Sequence, residues 1–240
     1  MPDPGAGSPS QPLMAQPDQI EVPLFPLPNV VFFPGVVLPL HIFEERYKKM
    51  IGMCVEENAP FGIVLLSGAS ESPATIRKVG VLGRVSQVER LDDGRMNILA
   101  EGEARFRIVR FVGQNPYWSA AVELVEDVPE PDPLLKSLGE EMAKLYLEAY
   151  QKGLELTGKQ PGQIRLPASA VDLSYMVAYV LDMEFDDKQS LLEMTSTRER
   201  LSVLIRYVRA ANERLDEQLR RKRTAETASG NGDLGQPGRA

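Results

Sequence analysis

The sequence is poor in the residues from which active centres are most often built. It contains one cysteine, Cys54, and one histidine, His41. A single cysteine excludes an intramolecular disulfide and fits a reducing compartment. One Cys with one His falls short of the four ligands of a structural zinc site. Composition leaves open only a carboxylate site for a hard cation such as magnesium, and no metal or cofactor is expected. No run approaches the ~20 apolar residues of a membrane span. Met1 to Asp18, rich in Pro, Gly, Ser and Gln, lacks the basic start and apolar centre of a secretory signal. The expectation is a soluble cytoplasmic protein. Positive charge is in deficit, with 27 Lys+Arg against 34 Asp+Glu and a formal net charge of -7. That balance repels phosphate backbones and makes non-specific nucleic-acid binding a poor default.

What is present is an ordinary globular composition, 43% hydrophobic and 25% charged over 240 residues. Both ends read as disordered, 1–18 and 223–240, because they hold too few apolar residues to offset the entropy of ordering. Between them the periodicity changes once. The junction Glu126-Asp127-Val128-Pro129-Glu130-Pro131-Asp132-Pro133 breaks both ladders and helices. It divides a strand-rich part, 19–128, from a helical part, 129–222.

The first part predicts short strands at Ile20–Leu24, Val36–Leu40, Phe61–Leu66, Val79–Leu91, Met96–Ala100, Arg105–Val112 and Tyr117–Val125. A shift in the alternation near Ser86 predicts a bulge. Asp93-Gly94 predicts a hairpin turn, since glycine takes positive φ at little cost. A helix over Phe43–Asn58 would carry Phe43, Tyr47, Met50, Ile51 and Cys54 on one face. One helix among about six antiparallel strands suggests a small, partly closed barrel. The second part reads as a bundle. Its helices start near Asp132, at Ala168, near Asp186 with Gln189 as a capping box, and at Ser196 with Glu199 as a second box. The last of these carries Leu201, Leu204, Ile205, Val208, Leu215 and Leu219 on one side.

Several motifs carry a resemblance. The run Pro23-Leu24-Phe25-Pro26-Leu27-Pro28-Asn29-Val30-Val31-Phe32-Phe33-Pro34-Gly35 is followed by Leu38-Pro39-Leu40-His41-Ile42-Phe43-Glu44-Glu45-Arg46-Tyr47. Further on come Gly80-Val81-Leu82-Gly83, then Asp93-Gly94-Arg95 with Glu101 to Ile108, and finally Asp187 to Glu193 with Arg198 to Leu201. In this order they resemble the N-terminal substrate-binding domain of Lon proteases, in particular its short bacterial stand-alone versions. The resemblance implies an α+β fold: a PUA-like β pseudobarrel with one helix, then a C-terminal helical bundle. It implies recognition of other proteins or unfolded peptide segments, in the setting of protein quality control. It does not imply proteolysis, because the ATPase and Ser-Lys protease domains of full-length Lon are not expected within these residues.

Other motifs point elsewhere. Gly153 to Lys159 fits GxxxxGK, but Gln160-Pro161 replaces the magnesium-binding hydroxyl, and a helix rather than a strand precedes it. Gly153 reads instead as a helix C-cap. A hydrolase would need a nucleophile with a base in reach. His41 has no such context, and Cys54 sits on an apolar helix face. An RNA-binding face could draw on Arg105, Arg107, Arg110 and the Arg220–Arg223 run, although Arg105 and Arg107 share a strand face as solvated residues do. The expected function is a non-catalytic protein- or peptide-binding module, an adaptor or a holder of unfolded chains. It would act in the seam between barrel and bundle or by strand addition. The candidate contacts are the loop aromatics Phe32, Phe33, Tyr117 and Trp118 and the outward helix residues Glu45 and Lys49.

Overall fold

The structure, a computed structural model, describes residues 19–230. Among these residues there are six strands and five helices. The strands are β1 (Ile20–Leu27), β2 (Val37–Ile42), β3 (Phe61–Leu65), β4 (Val79–Arg90), β5 (Met96–Gly113) and β6 (Ser119–Leu124). The helices are α1 (Glu45–Glu56), α2 (Asp132–Thr157), α3 (Ala170–Val180), α4 (Phe185–Glu193) and α5 (Thr197–Gly230). The expected class, α+β, is the class observed.

The two strands expected at Met96 and Arg105 are one continuous strand, and this closes the barrel. The first half of β5 pairs with β2, from Glu101 opposite Val37 to Met96 opposite Ile42. Its second half pairs with β6, from Phe106 opposite Leu124 to Gly113 opposite Ser119. β4 runs along both halves. The sheet order β2-β5-β4-β3-β1-β6 therefore returns to β5. One pairing departs from the antiparallel expectation: β1 and β3 are parallel, since α1 carries the chain back across. The predicted bulge lies between Val85 and Gln87.

Phe33-Pro34-Gly35-Val36 forms a tight turn into β2, with Val36 N–H donating to the Phe33 carbonyl at 3.3 Å. Gly35 takes φ 72, the value that proline at the second position and glycine at the third allow. The turn is pinned to β5: Gly35 N–H donates to the Gly102 carbonyl and Gly102 N–H to the Val36 carbonyl, each at 2.9 Å. A Cβ on Gly102 would lie 2.4 Å from the Phe33 carbonyl oxygen, so only glycine permits this approach.

Two apolar cores result. The smaller fills the barrel with Val22, Leu24, Phe106, Ile108, Trp118 and Val122. The larger is continuous from α1 (Met50, Ile51, Cys54) through Phe32, Phe33 and Ile98 into the bundle at Tyr175, Leu201 and Val208. The expected boundary at 128/129 is thus a change of element type within one shared core. α5 runs on to Gly230, past the limit expected at 222. The expected leader, 1–18, and residues 231–240 of the expected tail lie outside the described residues.

Helix ends differ in places from the expectation. α2 continues through Gly153 and stops at Gly158, which takes φ 66, so Gly158 is the C-cap. α4 begins at Phe185 without a side-chain cap, and Gln189 instead donates to the Val79 carbonyl of β4 at 3.0 Å. At the second box, Ser196 caps the helix as expected, its Oγ accepting from Glu199 N–H at 3.1 Å.

Candidate polypeptide-binding seam

The candidate contact residues fall into two groups. Phe32 and Phe33 are buried, at 2% and 0% exposure, and Phe33 packs 6.2 Å from the Tyr175 ring. The Gly35 turn folds both rings inward, with the Phe32 ring and the Phe33 carbonyl against Gly102. This corrects the expectation that the turn offers rings at the surface. Trp118 is buried as well, edge-on to Phe111 at 5.2 Å, where it closes one end of the barrel core. Tyr117 is half-buried, with its hydroxyl 3.8 Å from Met53 Sδ. Glu45 and Lys49 are exposed on α1, and Glu45 is paired with Lys48 at 2.7 Å. Phe43, expected on the inner face of α1, precedes the helix and is 60% exposed, stacked on His41.

The hydrolase candidates occupy different settings. His41 is an exposed strand-end residue bonded to Asn97 Oδ1 at 2.7 Å. Cys54 is buried, and desolvation, with the Glu57 charge adding to it, pushes its thiol up to about 11, so at neutral pH it is a protonated core residue. The RNA face loses a member, because Arg105 is buried under the bundle while Arg107 and Arg110 are exposed. Of the terminal basic run, Lys222 donates to the Glu155 and Leu156 carbonyls at the end of α2, and Arg223 pairs with Glu155. Those two cations serve the bundle itself.

Three hollows lie between the two halves, next to residues of the β1–β2 connection. The first, about 380 Å³, sits between Pro28 and Leu66 on the barrel side and Phe185 on the bundle side. The second, about 300 Å³, sits between Asn29, Val30, Val31 and the trio Tyr179, Phe185, Lys188. The third, about 320 Å³, sits between Pro34, Gly35, Val36 and Met176, Tyr179 and Arg165. Phe185 is shared by the first two and Tyr179 by the last two. Residues 28–36 thus form one wall in sequence order, and the end of α3 with the start of α4 forms the other.

The chemistry of this seam is mixed. Phe185 is 40% exposed and Val180 nearby is exposed too. Lys188 donates from Nζ to the Tyr179 carbonyl at 2.7 Å. Burial holds its ammonium below the usual lysine value, opposed by the charge of Asp182. Separate grooves lie along β2, about 490 Å³, and between α2 and α3, about 480 Å³. Neither joins the two halves.

Beneath the seam lies a buried ionic cluster that sequence reasoning missed. Asp127, in the Pro-rich junction, faces two buried guanidiniums. Arg105 Nη2 of β5 is 2.5 Å from Asp127 Oδ1, and Arg200 Nη2 of α5 is 2.5 Å from Oδ2. The Thr197 hydroxyl donates to Oδ2 at 2.7 Å. Arg105 also donates to the carbonyls of Leu192 and Met194, and Arg200 to Met194 and to Ser174 Oγ. Tyr175 lies against both cations, at 4.2 Å from Arg200 and 5.6 Å from Arg105. Burial pushes the Asp127 carboxyl up, but the Arg200 hydrogen bond and charge, the Thr197 bond and the Arg105 charge outweigh it and hold it below the usual aspartate value.

A closed barrel is thus joined through one core to a helical bundle, with hollows between the two halves. Solved structures share this architecture. The Lon N-terminal domain protein from Xanthomonas campestris superposes with a TM-score of 0.58 at 22% identity, covering 78% of this chain and 98% of that one. The N-terminal domain of the Mycobacterium avium complex Lon protease gives 0.60 at 21%, covering 79% and 98%.

Residues 21–210 match the family model of the ATP-dependent protease La (LON) substrate-binding domain, and the chain belongs to that family. Among curated relatives, the Lon protease of Anaeromyxobacter dehalogenans is 27% identical over 220 residues, 87% of this chain and 26% of that protein. Lon protease 2 of Myxococcus xanthus is 27% identical over 196 residues, 80% of this chain and 24% of that protein. The chain therefore spans about a quarter of the length of these relatives. The likeness is to their non-catalytic substrate-binding domain. Among the described residues, no helix is long and apolar enough to cross a membrane.

Proposed function

We propose that the chain holds exposed apolar, extended segments of other proteins in the seam between barrel and bundle, as an adaptor or as a holder of unfolded polypeptides. The observation that carries this reading is the set of three hollows between the halves, the first two lined by Phe185 and the last two by Tyr179. Such a groove accommodates successive side chains of an extended segment, with a partly exposed aromatic as anchor. Membership of a substrate-binding family supports the same class of ligand.

Strand addition is the weaker mode. The barrel returns to β5, which leaves the outer side of β2 as its free edge, and Pro39 stands in the middle of β2. Proline lacks the donor that an added strand needs, and it is a common guard on such edges. Tyr117, Glu45 and Lys49 do not line the seam.

The test is binding of a fluorescently labelled, permanently unfolded polypeptide, followed by anisotropy. Saturable binding in the micromolar range, lost on competition with a second unfolded chain but not with its folded form, is the expected result. Absence of binding at several hundred micromolar protein would overturn the proposal.

A further inference from the structure

We infer that Asp127 is the positioning residue of the seam: by tying Arg105 of the barrel to Arg200 of the bundle, it fixes the distance between the groove's two walls. The inference rests on the reading of the seam as the polypeptide site.

The cluster has an unusual balance. Two buried cations share one carboxylate. The missing negative charge is supplied by dipoles, namely the carbonyls of Leu192 and Met194 at the end of α4. Every group that satisfies the cations is therefore on the linker or the bundle, while one of the two cations belongs to the barrel. The linker backbone makes the same bridge, with Val125 N–H donating to the Arg105 carbonyl and Val128 N–H to the Thr195 carbonyl, each at 2.9 Å.

The cluster connects directly to the groove walls. Tyr175, which lies against both guanidiniums, is one helical turn before Tyr179 on α3, and Tyr179 lines two of the three hollows. Leu192 and Met194 end the helix that Phe185 begins. On the barrel side, Tyr175 packs against Phe33, within the 28–36 wall. A shift of the bundle on loss of the carboxylate would carry Tyr179 and Phe185 away from residues 28–36.

Trp118 is the sole tryptophan and lies in the barrel core, so its fluorescence reports the barrel. Helical circular dichroism reports mainly the bundle, which holds four of the five helices among the described residues. In urea, the two signals of the wild-type protein should change together. In Asp127→Asn the helical signal should change first, at lower urea. Binding of the unfolded polypeptide without urea should fall at least tenfold. Should Asp127→Asn not fold, Arg105→Met serves instead: it leaves one cation with one anion, and the same separation is expected. Coincident transitions in the variant that folds, or unchanged polypeptide binding, would overturn the inference. If the wild-type protein binds no polypeptide, the seam reading fails, while separation of the two transitions still decides whether Asp127 couples the halves.

Discussion

Asp127 Oδ2 and Arg200 Nη2 are 2.5 Å apart, and Arg200 has no exposed surface. A residue of the linker thus holds the first turn of the last long helix against the barrel. Replacing one member of such a buried pair typically costs about 3–5 kcal/mol, since the remaining charge is stranded.

This pair gives a pH dependence with a definite sign. The native carboxyl titrates below its ordinary value of 3.8. Above that value both native and unfolded states are ionised, and the stabilisation is complete. As the pH falls through 3.8 the unfolded state takes up a proton first, and stability drops until the native carboxyl is protonated too. The urea midpoint should therefore fall between pH 5 and pH 3. The fall should be smaller in Asp127→Asn, which retains only the contribution of surface groups such as Glu45 and Asp93. An equal fall in both proteins would contradict this assignment.

Gly102→Ala tests the pinned turn. The new methyl would meet the Phe33 carbonyl oxygen at 2.4 Å and the Phe32 ring at 3.2 Å. Backbone must move to admit it, at a cost of about 1–3 kcal/mol, as for other overpacked sites. Thermal melting should drop by about 2–4 °C for each kcal/mol lost. A melting temperature within one degree of wild type would show that the turn can give way freely.

Phe33 and Phe185 should separate fold from function. Phe33→Ala removes a fully buried ring and should cost about 3–5 kcal/mol in urea unfolding. Phe185→Ser alters a partly exposed ring and should change stability by less than about 1 kcal/mol. Its effect belongs in polypeptide affinity, expected to weaken about tenfold, or about 1.4 kcal/mol. Retained affinity in Phe185→Ser would remove Phe185 as an anchor.

Much of the fold is legible in the sequence because it follows from local period and turn chemistry. Alternation marks the strands, Asp93-Gly94 the hairpin, and Ser196 with Glu199 the start of α5. Misreadings arise where a distant partner decides. Helical spacing extends the α1 stripe upstream to Phe43, but α1 begins at Glu45 and leaves that ring outside. Phe32 and Phe33 read as loop aromatics because Gly102, which lets them fold inward, lies far along the chain. Arg105 alternates with Arg107 as an exposed strand residue does, yet the end of α4 covers one and not the other. Asp127 sits in a proline-rich junction that reads as a boundary, although it is the point at which the halves are tied. The seam is illegible for the same reason, because its walls, 28–36 and 165–188, meet only in the folded chain.

The most direct test of the account is to map where a bound polypeptide lies. An unfolded chain carrying photo-crosslinking residues would be irradiated in complex with the protein, and the linked peptides identified by mass spectrometry. The account predicts crosslinks concentrated in residues 28–36 and 176–188 and lost in Phe185→Ser. Crosslinks confined to β2, or to the outer face of α1 at Glu45 and Lys49, with none in those two segments, would contradict it.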